Sequence, residues 1–145
     1  MGTFQNFEQI EAWKKARQLS RKIYQISGEG LFSKDFGLRD QIRRASVSIM
    51  SNIAEGLERG GRKEFVQFLS MAKGSVGEIR AHLYVALDQG YIHEETCDHL
   101  LLLASEVGRM IGGLMNYLRG SKISGSKFKS PQLETRNSKL ETSEL

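Results

Sequence analysis

The stretch Gln41–Phe65, QIRRASVSIMSNIAEGLERGGRKEF, decides how the rest of the chain is read. Ile42, Ile49, Ile53 and Leu57 fall on one side of a wheel with 3.6 residues per turn, the period of an α-helix. Beside that stripe run Ala45, Ser48, Asn52 and Gly56, small or short residues at a spacing that lets a neighbouring helix come close. Glu55 lies on the same ridge, and Arg43, Arg44, Arg59, Arg62 and Lys63 surround it. Gly60-Gly61 ends the period. The stretch therefore predicts a core-facing helix with a polar ridge, a glycine turn and a crowd of cations.

Working outward, three more amphipathic segments appear. The first runs from about Phe7 to Ser27, with Ala12, Trp13, Ala16, Leu19, Ile23 and Ile26 on one face. Asn6 and Gln9 make a capping-box pattern at its start. GEGLFSKDFG closes it, and the helix of the opening stretch spans about Leu38 to Glu58. The third segment, Arg62 to Gln89, carries Phe65, Leu69, Ala72, Val76, Ile79 and Leu83 within about 100° of the wheel. Gly90 suits a C′ position, with Tyr91 and Ile92 packing back as in a Schellman motif. The fourth runs from about Glu94 to Arg119 on Leu100, Leu103, Val107, Ile111, Leu114 and Leu118, with His93 at its N-cap and Gly120 as its stop.

The sole proline is Pro131, so nothing upstream forces a helix break. After Gly120 the period is lost in a run rich in Ser, Lys and Glu. The expected architecture is all-α: an antiparallel up-down-up-down four-helix bundle over residues 1–120, with a flexible, disordered polar tail over 121–145.

The chain has 145 residues, one domain's worth, and 39% of them are hydrophobic. One cysteine, Cys97, excludes an intramolecular disulfide and suits a reducing compartment. The opening residues lack a basic segment followed by an apolar run, and no apolar run is long enough to span a bilayer. Neither a signal peptide nor a membrane partner is expected, and a cytoplasmic location is. A net charge of +4 permits a polyanionic partner without demanding one.

Catalytic chemistry finds no foothold in the spacing. His82, His93 and His99 are scattered, and Cys97 has no second cysteine, so no metal site is expected. No histidine stands at helical spacing from the helix-two serines, and ERGGRK lacks the GxxxxGK[ST] phosphate-loop pattern. The expectation is a non-enzymatic protein without a cofactor.

Two features remain. The polar ridge of Ser48, Asn52 and Glu55, with Ser75, Glu78 and His82 on the third helix, reads as a hydrogen-bonded network fixing helix register. Ligand contact or solvent exposure are the other readings. Gly74, Gly77, Gly108, Gly112 and Gly113 lie inside helices, where each costs about 1 kcal/mol relative to alanine. Close crossing within the bundle or between subunits would offset that cost. Gly74 and Gly77 point away from the third helix's apolar stripe, which favours subunits there. Lys14, Arg17 and Arg21 on helix one, with Arg43, Arg44, Arg59, Arg62 and Lys63, are the candidate nucleic-acid contacts, able to neutralise phosphates with little sequence readout.

QIRRASVSIMSNIAEGLERGGRKEFVQFL and KGSVGEIRAHLYVALDQGYI resemble the four helix bundle protein family encoded within intervening sequences of bacterial 23S rRNA genes. They are also similar to the accessory variability protein of diversity-generating retroelements. The start Phe7-Glu8-Gln9-Ile10-Glu11-Ala12-Trp13 fits the family's pattern, and the likeness spans about Phe7 to Leu118. The resemblance implies an antiparallel four-helix subunit in a ring-shaped homopentamer, with no catalytic residues. It also implies association with RNA or with a reverse transcriptase as the expected partner. Met50 stands where the family usually has proline, and Arg80 reverses a usual glutamate. The leading functional expectation is a homo-oligomeric scaffold that associates with RNA or a ribonucleoprotein. The alternative is a module that binds another protein, such as a reverse transcriptase, without touching nucleic acid.

Overall fold

The computed structural model describes residues 4–124, with side chains through residue 120. Four helices, α1 (Glu11–Ser27), α2 (Phe36–Glu58), α3 (Arg62–Asp88) and α4 (Glu94–Ser124), account for most of them. Short 3-10 turns cover Phe7–Gln9 and Gly30–Lys34. No strand occurs among the described residues. α1 packs on α2 and α4, and α3 packs on the same two helices, with α2–α3 the most intimate pair. The chain is an antiparallel four-helix bundle. None of the described helices is long and apolar enough to cross a membrane.

The stripes legible in the sequence form the core. Leu19, Ile23, Ile42, Ile49, Leu69, Leu83 and Ile111 are fully buried. Each such side chain contributes about 1.5–3 kcal/mol relative to exposure.

Helix ends depart from the sequence reading in three places. α1 starts at Glu11 rather than Phe7. Gln9 Oε1 does accept from Asn6 N at 3.2 Å, but it closes the 3-10 turn. Ile10 is then extended and wholly buried, so an unbroken helix from Phe7 gives way to core insertion at Ile10. α2 starts at Phe36, because Asp35 acts as N-cap and its Oδ1 accepts from Leu38 N at 3.1 Å. Gly120 does not stop α4, which continues to Ser124. A glycine is tolerated in a helix at modest cost when its neighbours are helical. The expected tail beyond that point lies outside the described residues.

The α3–α4 connection matches its sequence reading. Gly90 takes φ +76°, Tyr91 N donates to Ala86 O at 2.9 Å, and Gly90 N donates to Leu87 O at 3.0 Å. These are the two bonds of a Schellman motif. Tyr91 then stacks obliquely on the buried Phe32, and its hydroxyl donates to Asp35 Oδ2 at 2.9 Å. That bond ties the N-cap of α2 to the α3–α4 connection. At the start of α4, Cys97 N donates to His93 O at 2.9 Å, which puts His93 at the N-cap position.

Candidate nucleic-acid interface

α2 meets its neighbours through two polar seams. On the α3 side, Asn52 Nδ2 donates to Ser48 O at 2.9 Å and to Ser48 Oγ at 3.0 Å, and Ser75 Oγ donates to Ser48 Oγ at 2.9 Å. Four residues further along α2, Gly56 fits against α3 so closely that an added Cβ would lie 2.8 Å from both Phe65 Cδ1 and Phe68 Cβ. The small-residue spacing of the opening stretch thus corresponds to a close helix contact.

Glu55 and Glu78 do not belong to this network. Both are exposed. Glu55 turns outward to accept from Arg59 Nη2 at 2.9 Å, an i,i+4 pair that draws it to the helix surface. Glu78 makes no hydrogen bond or ion pair among the described residues. His82, at the same edge, is partly buried, and its Nδ1 lies buried without a partner.

The seam on the α1 side was not anticipated. Ser46 Oγ donates to Ser20 Oγ at 3.2 Å in the buried interior. Arg43 Nε donates to Ser27 Oγ at 2.8 Å and Nη2 to Tyr24 O at 3.2 Å, with the guanidinium 4.6 Å from the Tyr24 ring. Arg43 is therefore a clamp between α1 and α2, and its fork is occupied within the bundle. The sequence signal was present in Ser20 and Ser27, which are seven positions apart beside the apolar stripe of α1.

The other cations lie on the surface in two kinds of setting. Lys14 pairs with Glu11 at 3.2 Å, and Arg59 pairs with Glu55 and, at 3.8 Å, with Glu64. The hydrogen bond that Arg59 donates to Glu55 is the first cause holding its guanidinium above the ordinary value. Arg17 rests 5.9 Å from the Trp13 ring. Arg21 lines a groove between α1 and α4 across which Lys15 and Glu106 pair at 3.4 Å. Arg44 projects beside Val47 and Asp40. Arg62 and Lys63, at the start of α3, border a cavity whose far side is Arg119 of α4. Arg119 was missed in the sequence, because only the antiparallel pairing of α3 and α4 brings it there.

The eight anticipated cations therefore do not form one patch. Antiparallel packing gathers Lys14, Arg17, Arg59, Arg62 and Lys63 toward the end of the bundle that carries the α2–α3 turn. The acids Glu94, Glu95 and Asp98 open α4 at the other end.

The outward face of α3 is of a different kind. Gly74 and Gly77 are exposed, and an added Cβ would meet nothing within 4 Å at either. On the same outward side, Met71 is 51% exposed, Tyr84 51% and Val85 44%. By contrast, a Cβ added at Gly108 on α4 would lie 3.5 Å from Val76 Cγ1, and Gly112 and Gly113 are buried.

Among the described residues no three His, Cys, Asp or Glu side chains are placed to hold a metal. Cys97 is buried, its Sγ 3.7 Å from Leu83 O, and burial first, then Asp98, Glu94 and Asp88, pushes its thiol up. A raised thiol pKa leaves little thiolate to react.

The architecture places the chain among the four-helix bundle proteins with polar inter-helix seams. The chain belongs to the 23S rRNA-intervening sequence protein family, whose model matches residues 8–113. Its fold is shared with a protein of unknown function from the S23 ribosomal protein family of Bacteroides thetaiotaomicron VPI-5482, known from a crystal structure at 1.70 Å. The two superpose with a TM-score of 0.66 at 21% identity, over 72% of this chain and 97% of that one. No curated protein matches the chain.

Proposed function

We propose that the protein is a non-enzymatic, homo-oligomeric scaffold that associates with RNA or a ribonucleoprotein through its basic surfaces. The observation that carries the oligomer is the open pair Gly74 and Gly77 on α3. Each glycine costs about 1 kcal/mol against alanine, and nothing inside the subunit calls for the missing Cβ. A second copy seated over Met71, Gly74, Gly77 and Val85 supplies both the reason for the small residues and cover for the apolar side chains. The resemblance to ring-forming relatives makes a pentamer the form we favour.

Closure of such a ring repeats every cation about an axis, so a thin patch on one subunit becomes a continuous positive surface. Arg21, Arg44 and Lys63 make no ion pair among the described residues, which leaves their charge available to a polyanion. Light scattering combined with salt-titrated RNA binding tests the reading. The expected result is an oligomer whose RNA affinity falls steeply with salt. A stable monomer that binds no RNA at low salt would overturn it.

A second reading, a module for a protein partner such as a reverse transcriptase, draws on Leu31 and Phe36. These are 68% and 63% exposed at the connection between α1 and α2. Salt-insensitive binding of a protein, with no RNA binding, would favour it.

A further inference from the structure

On the side of the bundle where α3 meets α4, a hollow of about 250 Å³ lies between the middle turns of the two helices. Lys73, Gly77 and Arg80 line it from α3, at i, i+4 and i+7, so one helix face carries them. Ser105, Gly108 and Arg109 line it from α4. The space has a local cause. Gly77 and Gly108 place no side chain in it, and a Cβ added at Gly77 would meet nothing within 4 Å. Val76, the remaining lining residue, is buried.

We infer that this hollow binds a phosphate group, held by Arg80, Arg109 and Lys73 and by the Ser105 hydroxyl. Charge comes first. Lys73, Arg80 and Arg109 make no ion pair, hydrogen bond or ring contact among the described residues. No acid lines the hollow, and Glu106, three residues before Arg109, is engaged toward α1 by Lys15 at 3.4 Å. Like charges gathered round one concavity repel, and an anion entering it relieves that repulsion. Ser105 is half-buried, and its hydroxyl makes no hydrogen bond among the described residues, so it has a donor to spare.

The donor set selects among anions. A carboxylate brings a single charge, whereas a phosphate group brings up to about two charges and three strong acceptor oxygens. Arginine forks bind phosphate oxygens in pairs, and lysine adds a point charge. Size sets the limit. Pockets for drug-sized ligands occupy roughly 300–1,000 Å³, so this smaller hollow suits a phosphate or diphosphate without the nucleoside attached to it. The group can come from a small phosphorylated compound or from a polynucleotide backbone. The inference goes beyond the RNA reading, because a free phosphate compound tests it without any strand.

The test is isothermal titration calorimetry of the full chain with inorganic diphosphate at low ionic strength. The variants are Arg80→Glu, Ser105→Ala and, as a control on another face, Arg44→Glu. Arg80 and Arg44 are both exposed, so circular dichroism of the two charge reversals should match that of the unaltered protein. The site predicts saturable binding of one diphosphate per chain. Arg80→Glu should weaken it by about tenfold or more and Ser105→Ala by several-fold, because each removes a hydrogen bond to a charged group. Arg44→Glu should change it little.

Displacement of diphosphate by oligouridylate would support the site with a strand backbone as the source. Failure of oligouridylate to displace it would support the site with a small phosphorylated compound as the source. An unaltered chain that binds no diphosphate would overturn the site, and RNA binding by that same chain would leave the RNA reading standing. Equal losses in Arg80→Glu and Arg44→Glu would reveal a general positive field and overturn the site. An unchanged affinity in Ser105→Ala would remove the hydroxyl from it. A glutamate-rich peptide that binds more tightly than diphosphate would assign the hollow to acidic protein and overturn the phosphate assignment.

Discussion

Gly56 and Gly77 are the same residue type in adjacent helices of one bundle, and their surroundings are opposite. At Gly56 a methyl group would press within 2.8 Å of Phe65 and Phe68. At Gly77 it would meet nothing within 4 Å. The α2–α3 seam explains the first glycine from within the bundle, and nothing among the described residues explains the second. The contrast separates a residue that the fold requires from one that the fold merely tolerates.

The contrast sharpens into substitutions with opposite signs. Gly56→Ala should cost the most, because overpacking a filled contact costs about 1–3 kcal/mol. For a domain near this size each kcal/mol corresponds to a drop in melting temperature of about 4 °C. Thermal denaturation followed by circular dichroism checks it, and an unchanged Tm would mean that Phe65 and Phe68 yield freely.

Asn52→Leu comes next. It removes both bonds to Ser48 and leaves the Ser48–Ser75 pair without its third member, at about 1–2 kcal/mol. Glu55→Leu serves as its partner experiment. Because Glu55 points to solvent, its loss should leave the melting curve nearly in place. Equal losses in the two variants would place Glu55 back in the seam.

Gly74→Ala should move stability the other way, raising the folding stability of the isolated subunit by up to about 1 kcal/mol through helix propensity alone. Denaturant titration at a concentration where the subunit is monomeric reads this gain. A loss there would reveal an intramolecular neighbour.

The smallest effect concerns pH. The hydrogen bond to Asp35, then burial and the Asp35 charge, holds the Tyr91 hydroxyl above its ordinary value. A raised folded pKa means that the stabilisation is fully present below the unfolded phenol's value of about 10, and is lost as pH rises through the folded value. Tyr91→Phe should therefore be less stable than the unaltered protein at neutral pH, and the gap should close in alkali. A gap that persists would assign the effect to packing against Phe32.

Much of this was legible in the sequence, for identifiable reasons. The core stripes repeat with the helix period, so Ile42, Leu69 and Ile111 announced themselves locally. The helix ends did not. Asp35 sits in SKDFG, which reads as loop, and its capping role depends on one backbone N–H three residues on. Phe32, within that loop, is fully buried, which only the tertiary packing decides.

The candidate site was legible in kind but not in allocation. The wheel placed Glu55 on the ridge, yet Arg59 four residues on already signalled an outward pair. Arg43 looked like its neighbour Arg44, but its partners Ser27 and Tyr24 are 16 and 19 residues away along the chain. Local spacing cannot reveal such a clamp. Arg119 joins Lys63 only because α3 and α4 run antiparallel.

The most direct test of the open-glycine face is the mass of the protein in solution, measured by light scattering for the unaltered chain and for Gly77→Leu. Leucine is a better helix former than glycine and has open space at this position, so the variant should fold at least as well. Its side chain would stand where a second copy must approach. The account predicts an oligomer for the unaltered chain and a well-folded monomer for Gly77→Leu. An unaltered chain that stays monomeric at every concentration, or a variant that assembles just as the unaltered chain does, would contradict it.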